Sequence, residues 1–332
     1  MPAGRYRGHR TRFIETPQMH ESPLSGPSEP VSLCELTAAA YDAYSAAFLN
    51  QVDGEPCSLR LAGRGSGEVD RQIWARIDGE LVAMRSAGIT SVRILDAGSG
   101  PGLWLIQTVQ RARQLGFTMI EGEGFDISPE MIVQAHRLAI DLIDDHIALR
   151  FHVADIASAR RSLLNGSFDV TLCLYNVLNH LPADLHEGVA RELSRITKRA
   201  VIATVRTIKG PPTIYVQPID RARAFQQDNL AGRMDVVMAD GRHLSMASHL
   251  FSSDELRRLF APYVSIAELS GLDIFRQRFA PHPNWGAATT SSGKPDTTLD
   301  VLERRYASDP AFVDQAVHLL LVGLPHARIP AR

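Results

Sequence analysis

Apolar and polar positions along this chain follow two periods in turn. From Ser32, residues Leu36, Ala39, Ala40, Tyr44 and Phe48 recur at helical spacing. A Gly/Arg/Ser break at residues 63–67 separates them from a second stripe, Ile73, Ile77, Leu81 and Met84, which predicts a helix from Glu68 to Ala87. Val92–Leu95 is then a short, wholly apolar run of the kind that forms a strand covered on both faces. Behind it the pattern predicts a helix over Leu103–Leu115, a strand over Met119–Asp126, a helix over Glu130–Asp144 and a strand over Ala148–Val153. A strand over Phe168–Tyr175, a helix over Ala183–Ile196 and a strand over Ala200–Val205 complete the series. Strands alternating with helices at this spacing predict an α/β fold with a doubly wound, mostly parallel sheet, whose ligands lie at the carboxyl ends of the strands.

Past the fifth strand the order changes. A hairpin is expected from Met234–Met238 and Leu244–Ser248, turning at Asp240-Gly241. A short helix opens at Ser253, and Val264–Glu268 with Gly271–Arg276 read as one long or kinked strand. A helix over Leu299–Tyr306 and a last strand, His318–Val322, follow. The expected organisation is a disordered tail at 1–31, an N-terminal helical cap at 32–90, and a main domain at 91–332 in which 207–250 forms a substrate lid. The tail carries Arg5, Arg7, Arg10 and Arg12 without an acid before Glu15, but Gly4 and Gly8 interrupt any amphipathic targeting helix.

Composition narrows the partners. The net charge of −2 supplies no field for nucleic acid or an anionic membrane. Charges in the stretch after the fifth strand nearly balance, so no basic groove is expected. No apolar run approaches the roughly 18 residues needed to span a bilayer. Cys34, Cys57 and Cys173 are odd in number and far apart, with no C-x-x-C, so neither a disulfide framework nor a metal is expected and a cytoplasmic location fits.

The chemistry-bearing stretch is Val92–Trp104, V-R-I-L-D-A-G-S-G-P-G-L-W. Strand, glycine loop and helix follow without a gap, and a loop with so few side chains lets a ligand lie against backbone N–H groups. A dinucleotide fingerprint would be G-x-G-x-x-G. Here Gly98, Gly100 and Gly102 are one residue short of that spacing, and Asp96 stands two residues before them. A carboxylate in the loop's mouth repels a pyrophosphate and suits a ligand with an ammonium group. Asp126, at the end of the second strand, fits a ribose diol. An amino-acid nucleoside matches both.

D-A-G-S-G-P-G and G-F-D-I-S-P-E-M closely resemble the first two motifs of the class I S-adenosylmethionine-dependent methyltransferases. The resemblance implies a Rossmann-like methyltransferase sheet whose last two strands form an antiparallel hairpin, here with a helix inserted. It implies that Asp96, Gly98, Gly100 and Gly102 hold the methionine end of S-adenosylmethionine, with S-adenosylhomocysteine as product. By the same likeness Asp126 takes the ribose hydroxyls, Ile127 packs on adenine, and Asp155 and Ile156 contact the adenine amino group and ring. Leu174 and Tyr175, with Asn176, match the motif beside the reacting methyl. The interval from Asp96 to Asp126 is longer than usual in the family, which leaves Glu123 as the alternative acid for the ribose.

For the acceptor half, His180 in N-V-L-N-H-L is the candidate general base, against a helix-capping or backbone-contacting histidine. Asn176 and Asn179 are candidates to orient the substrate or to satisfy turn backbone. Arg206 is a candidate for a substrate carboxylate, and Tyr41 and Tyr44 for the pocket lining, against plain packing. The histidines of the C-terminal half have no metal-ligand spacing, so no metal is expected. The expected function is methyl transfer to a small-molecule O, N or C acceptor. The alternatives are a non-catalytic S-adenosylmethionine-binding module and a nicotinamide-dependent oxidoreductase. Oligomeric state is not readable from the sequence.

Overall fold

β1 (Ser91–Ala97) is an interior strand, third in a seven-stranded sheet, and is covered on both faces. Ile94 packs into the core on one face and Leu95 into the core on the other. The computed structural model describes residues 32–52, 68–156, 164–209, 222–238, 240–275 and 297–327. The expected tail at 1–31, Gly210-Pro211-Pro212 and the segment with Arg278, Phe279, His282 and Trp285 lie outside them.

The other strands are β2 (Met119–Asp126), β3 (Ile147–Val153), β4 (Phe168–Cys173), β5 (Thr197–Arg206), β9 (Val264–Leu272) and β10 (His318–Pro325). Their order is β3-β2-β1-β4-β5-β10-β9. All pairs from β3 to β5 are parallel, and β10 runs antiparallel to both β5 and β9. Strand order therefore reverses between β1 and β4, and the crevice outside their carboxyl ends is the place such a sheet offers a ligand.

Helices cover both faces. On one lie α2 (Glu68–Ser86), α3 (Leu103–Gln114) and α4 (Pro129–Ala139), with Ile73, Ile77, Leu81, Met84, Leu105 and Val109 buried against Ile94, Ile120 and Leu172. On the other, α5 (His186–Ile196) and α6 (Ser253–Phe260) bury Val189, Leu193, Leu256 and Phe260 against Leu95, Val201 and Leu321. A further helix, α7 (Thr297–Tyr306), precedes β10. Ser128 starts α4 by accepting from the Met131 N–H at 3.2 Å, and Ser252 starts α6 by accepting from Glu255 N–H at 3.2 Å.

The insertion after β5 is a separate antiparallel sheet of β6 (Ala222–Asp228), β7 (Arg233–Met238) and β8 (His243–Ala247). The β7–β8 hairpin matches the pattern. β6, A-R-A-F-Q-Q-D, escaped it because one bulky apolar residue in seven shows no alternation. Ala40 of α1 (Leu33–Val52) is buried with Met234, Val236, Met238 and Met246 of this sheet. Thr37 Oγ1 accepts from the Ala247 N–H at 3.2 Å.

The expectation of one cap over 32–90 is therefore corrected. The Ile73–Met84 stripe places α2 in the core of the main sheet, while α1 docks on the insertion. α4 also ends earlier than its apolar period suggests, giving way to a 3-10 turn at Ile140–Leu142 in which Leu142 packs on the core while Ile140, and Ile143 just after it, stay exposed. β9 is one strand that stops where Asp273 takes a φ of 61°.

Candidate active site at the carboxyl ends of the strands

The glycine loop turns back on the sheet through three residues of positive φ: Gly98 at 77°, Gly100 at 51° and Gly102 at 79°. Two of them are also sterically required. A Cβ at Gly98 would lie 2.3 Å from Val177 Cγ2, and one at Gly102 would lie 2.7 Å from the Phe151 ring. Gly100 faces open space. The loop's donors are engaged within the protein. Gly98 and Ser99 N–H both reach Phe125 O (2.8 and 2.9 Å), Gly100 N–H reaches Asp126 Oδ2 (2.8 Å), and Gly102 N–H reaches Ser99 O (2.9 Å). Pro101 has none. The expectation of free loop N–H groups is thus corrected: the geometry is not an anion nest, and a pyrophosphate would find no donors here.

Instead the loop is flanked by acids. Asp96 lies within β1 rather than after it, 2% exposed. Burial, then the nearby Asp126 carboxylate, push its pKa up to about 7 against one backbone N–H bond from Leu105. Burial also raises Asp126, although the N–H groups of Ser128, Gly100 and Ile127 favour its charged form. Two buried carboxylates that repel one another form a site awaiting positive charge. Glu123 faces the other way, toward His152 Nε2 at 3.9 Å, so only Asp126 of the two candidate acids meets the loop. Asp126 keeps lone pairs for a diol while holding Gly100 and Ser128. Asp155 is half-buried just past β3, and Ile156 is buried in the core cluster with Leu95 and Phe125.

Beyond β4, Leu174 is buried, and Tyr175 and Asn176 take left-handed φ values of 52° and 72°. Tyr175 N–H donates to Thr204 Oγ1 at 2.7 Å, and its hydroxyl donates to Asp70 of α2. Its ring continues an aromatic row from Trp74 through Trp104 (5.9 Å) to His318 (6.2 Å). His180 sets Nδ1 against Ala247 O at 2.7 Å, which makes Nδ1 the protonated nitrogen and leaves Nε2 as the acceptor. Burial, then the Arg206 cation, lower its pKa to about 4 despite the Ala247 bond, so the ring is neutral at pH 7. Burial and Arg206 likewise hold His318 at about 3. Arg206 is itself buried at the end of β5.

Asn179 is the clear correction among the candidate substrate residues. Its Nδ2 donates to Arg206 O and His249 O, and its Oδ1 accepts from Arg206 N–H at 2.9 Å, so it ties β5 to the segment after the insertion. Tyr41 stands edge-on to His180 with centroids 5.5 Å apart. Tyr44 lies on α1, but its side chain is outside the described residues.

α1 crosses these strand ends. Besides Tyr41 it brings Asp42 to the Ser128 hydroxyl beside Asp126. Asp42, Asp70, Trp74, Trp104 and His318 carried no motif. Only Trp104, directly after the glycine loop, had a positional signal.

An amino-acid nucleoside fits the residues present. Ser99 Oγ within the loop and Asn176 Oδ1 in the turn after β4 are buried with no hydrogen-bond partner, and the loop's middle glycine is open. Residues 94–200, from β1 into β5, match a family model described as a methyltransferase domain. Over that stretch the chain carries a methyltransferase domain.

No curated protein matches the chain. Among solved structures it is similar to geranyl diphosphate C-methyltransferase from Streptomyces coelicolor A3(2), at 16% identity and a TM-score of 0.46 over 90% of this chain and 100% of that one. It is also similar to magnesium protoporphyrin IX methyltransferase from Synechocystis PCC 6803 with bound SAM, at 14% and 0.45 over 90% and 100%. A TehB-like SAM-dependent methyltransferase from Corynebacterium glutamicum matches at 12% and 0.44, over 87% of this chain and 99% of that one. Likenesses this distant carry no argument about the acceptor. Among the described residues no group of three or more His, Cys, Asp or Glu is gathered to hold a metal, and no helix is long and apolar enough to cross a membrane.

Proposed function

We propose that this chain is an S-adenosylmethionine-dependent methyltransferase that acts on a small-molecule acceptor bound between the turn after β4, the end of β5 and α1. The observation that carries the reading is the pairing of two unlike half-sites at one sheet edge. Asp96 and Asp126 form a buried pair of carboxyl groups whose ionisation is held back until a cation arrives, and His180 and Arg206 form a neutral acceptor and a buried cation. When bound there, S-adenosylmethionine supplies an electrophilic methyl group on a sulfonium. Asp96 attracts the positive methionine end, Asp126 accepts from the ribose hydroxyls, and Gly100 leaves room for the cofactor to lie against the loop. Ile127, Asp155 and Ile156 serve the adenine end, Leu174 and Tyr175 the methyl end.

In-line displacement needs placement more than acid–base chemistry, and a base only for a protonated nucleophile. His180 meets that need through Nε2, oriented by Ala247 O. Arg206 anchors an anionic group of the acceptor, and Tyr41 closes the pocket. A small molecule is favoured because α1 covers the strand ends while the overall charge of −2 supports no nucleic-acid groove. The free thiols Cys34 and Cys173 suit a reducing, cytoplasmic compartment.

Calorimetry with S-adenosylmethionine and NAD tests the donor: binding of NAD alone overturns the reading. Incubation with methyl-labelled S-adenosylmethionine and a metabolite extract tests the transfer, and tight cofactor binding without any labelled product returns the protein to a binding module.

A further inference from the structure

Two asparagines follow β4 three residues apart, and they are built differently. Asn179 has both ends of its amide engaged with backbone. Asn176 is 4% exposed and its Oδ1 has no partner. An unsatisfied buried carbonyl costs about 1–3 kcal/mol. Positive φ at two consecutive non-glycine residues adds to that cost.

The surroundings hold this turn firmly. Tyr175 is fixed through Thr204 and Asp70, Asn176 O accepts from His180 N–H at 3.1 Å, and Val177 packs on Gly98. Asn176 thus follows the carboxyl end of β4, beside the crevice where the strand order reverses, and its Oδ1 is a buried acceptor left without a partner. Strain and an orphaned polar atom kept together by rigid supports mark a position that a ligand completes.

We infer that Asn176 Oδ1 receives the N–H or O–H of the acceptor's own nucleophile, so that this enzyme methylates a protic nitrogen or oxygen rather than carbon. The inference rests on the proposed S-adenosylmethionine site. In the step it serves, the nucleophile's lone pair forms the new bond to the methyl carbon. The pair of the breaking carbon–sulfur bond returns to sulfur, and the nucleophile's proton passes to His180 Nε2, the base proposed above. No oxidant or reductant is required. Asn176 acts by fixing the direction of the lone pair, and because an amide oxygen is a weak base it does not itself take the proton.

The test uses Asn176→Gly, since glycine tolerates a φ of 72° and the fold is not threatened. Calorimetry with S-adenosylhomocysteine should give a Kd within about threefold of wild type, because the amide does not hold the cofactor. A crystal structure of the S-adenosylhomocysteine complex should show Oδ1 bonded to water or a bound acceptor on the sulfur side. With labelled S-adenosylmethionine and a panel of amines and phenols, transfer should fall about 10- to 100-fold in the variant.

A Kd weakened tenfold or more, an Oδ1 accepting from cofactor or protein, or a methyl group found on carbon overturns this inference and leaves the cofactor site standing. Failure of wild type to bind S-adenosylhomocysteine overturns the cofactor site instead.

Discussion

The two halves of the proposed site are built on opposite principles. The cofactor half is local: Asp96, the glycine loop and Asp126 come from one strand–loop–helix–strand run, and their bonds are made within it. The acceptor half is assembled from afar, with Tyr41 from α1, His180 after β4, Arg206 from β5, Ala247 from the insertion and His318 from β10. Electrostatics divide the same way. Carboxylates raised in pKa make one half hungry for a cation, while a buried guanidinium among neutral imidazoles makes the other receptive to an anion. A contiguous motif can specify the half that recognises an invariant ligand, whereas the half that recognises a particular acceptor is free to draw on any loop that reaches it.

The comparison can be broken at its most rigid point first. Gly98→Ala places a Cβ against Val177 at a φ of 77°, which should cost about 2–4 kcal/mol and strip cofactor binding. A thermal melt and calorimetry check both, and unchanged values in both would show the loop to be less constrained than its geometry.

His180→Ala should next lower kcat by about 10²–10⁴-fold with the S-adenosylmethionine Kd preserved. A loss of cofactor affinity instead would mean that the two halves are not separable. Because His180 is held at about 4, the rate should show no loss from its protonation until the pH approaches that value.

Asp96→Asn should weaken S-adenosylmethionine by about 10- to 100-fold. It should also leave the ligand-free protein as stable or more so. The sign follows from the raised pKa. Folded Asp96 keeps its proton from its ordinary 3.8 up to about 7, while the unfolded chain loses it, so this group erodes stability as pH rises through that window. Cofactor affinity should rise over the upper part of the same window as Asp96 ionises. Titrations between pH 5.5 and 8.5 (roughly the span that brackets that pKa) read the effect, and a flat profile would remove Asp96 from the cofactor.

The smallest effect is expected where the halves are joined. Thr37→Val leaves the Ala247 N–H without its acceptor, at a cost of about 1 kcal/mol, and should raise the acceptor KM before the cofactor Kd. An equal change in both would place α1 over the whole crevice rather than the acceptor side.

Much of the sheet was legible because burial on both faces writes continuous apolar runs, as in β1 and β10, and because Ser128 and Ser252 are plain helix starts. α4 was overextended where Ile140 and Ile143 kept the period but found no cover. β6 carried too few apolar residues to register. The Ile73–Met84 stripe announced a helix without saying which surface would bury it.

What the sequence pointed to by itself was the proposed donor. Asp96, the three glycines and Asp126 stand in one run, and their spacing and charge already oppose a pyrophosphate. Tertiary structure decided the rest. It showed the loop's N–H groups to be engaged, set Asp126 rather than Glu123 against the loop, made Asn179 a brace and left Asn176 Oδ1 without a partner. Each of these depends on what a side chain meets across the sheet, and residues distant in sequence meet only when the chain is folded.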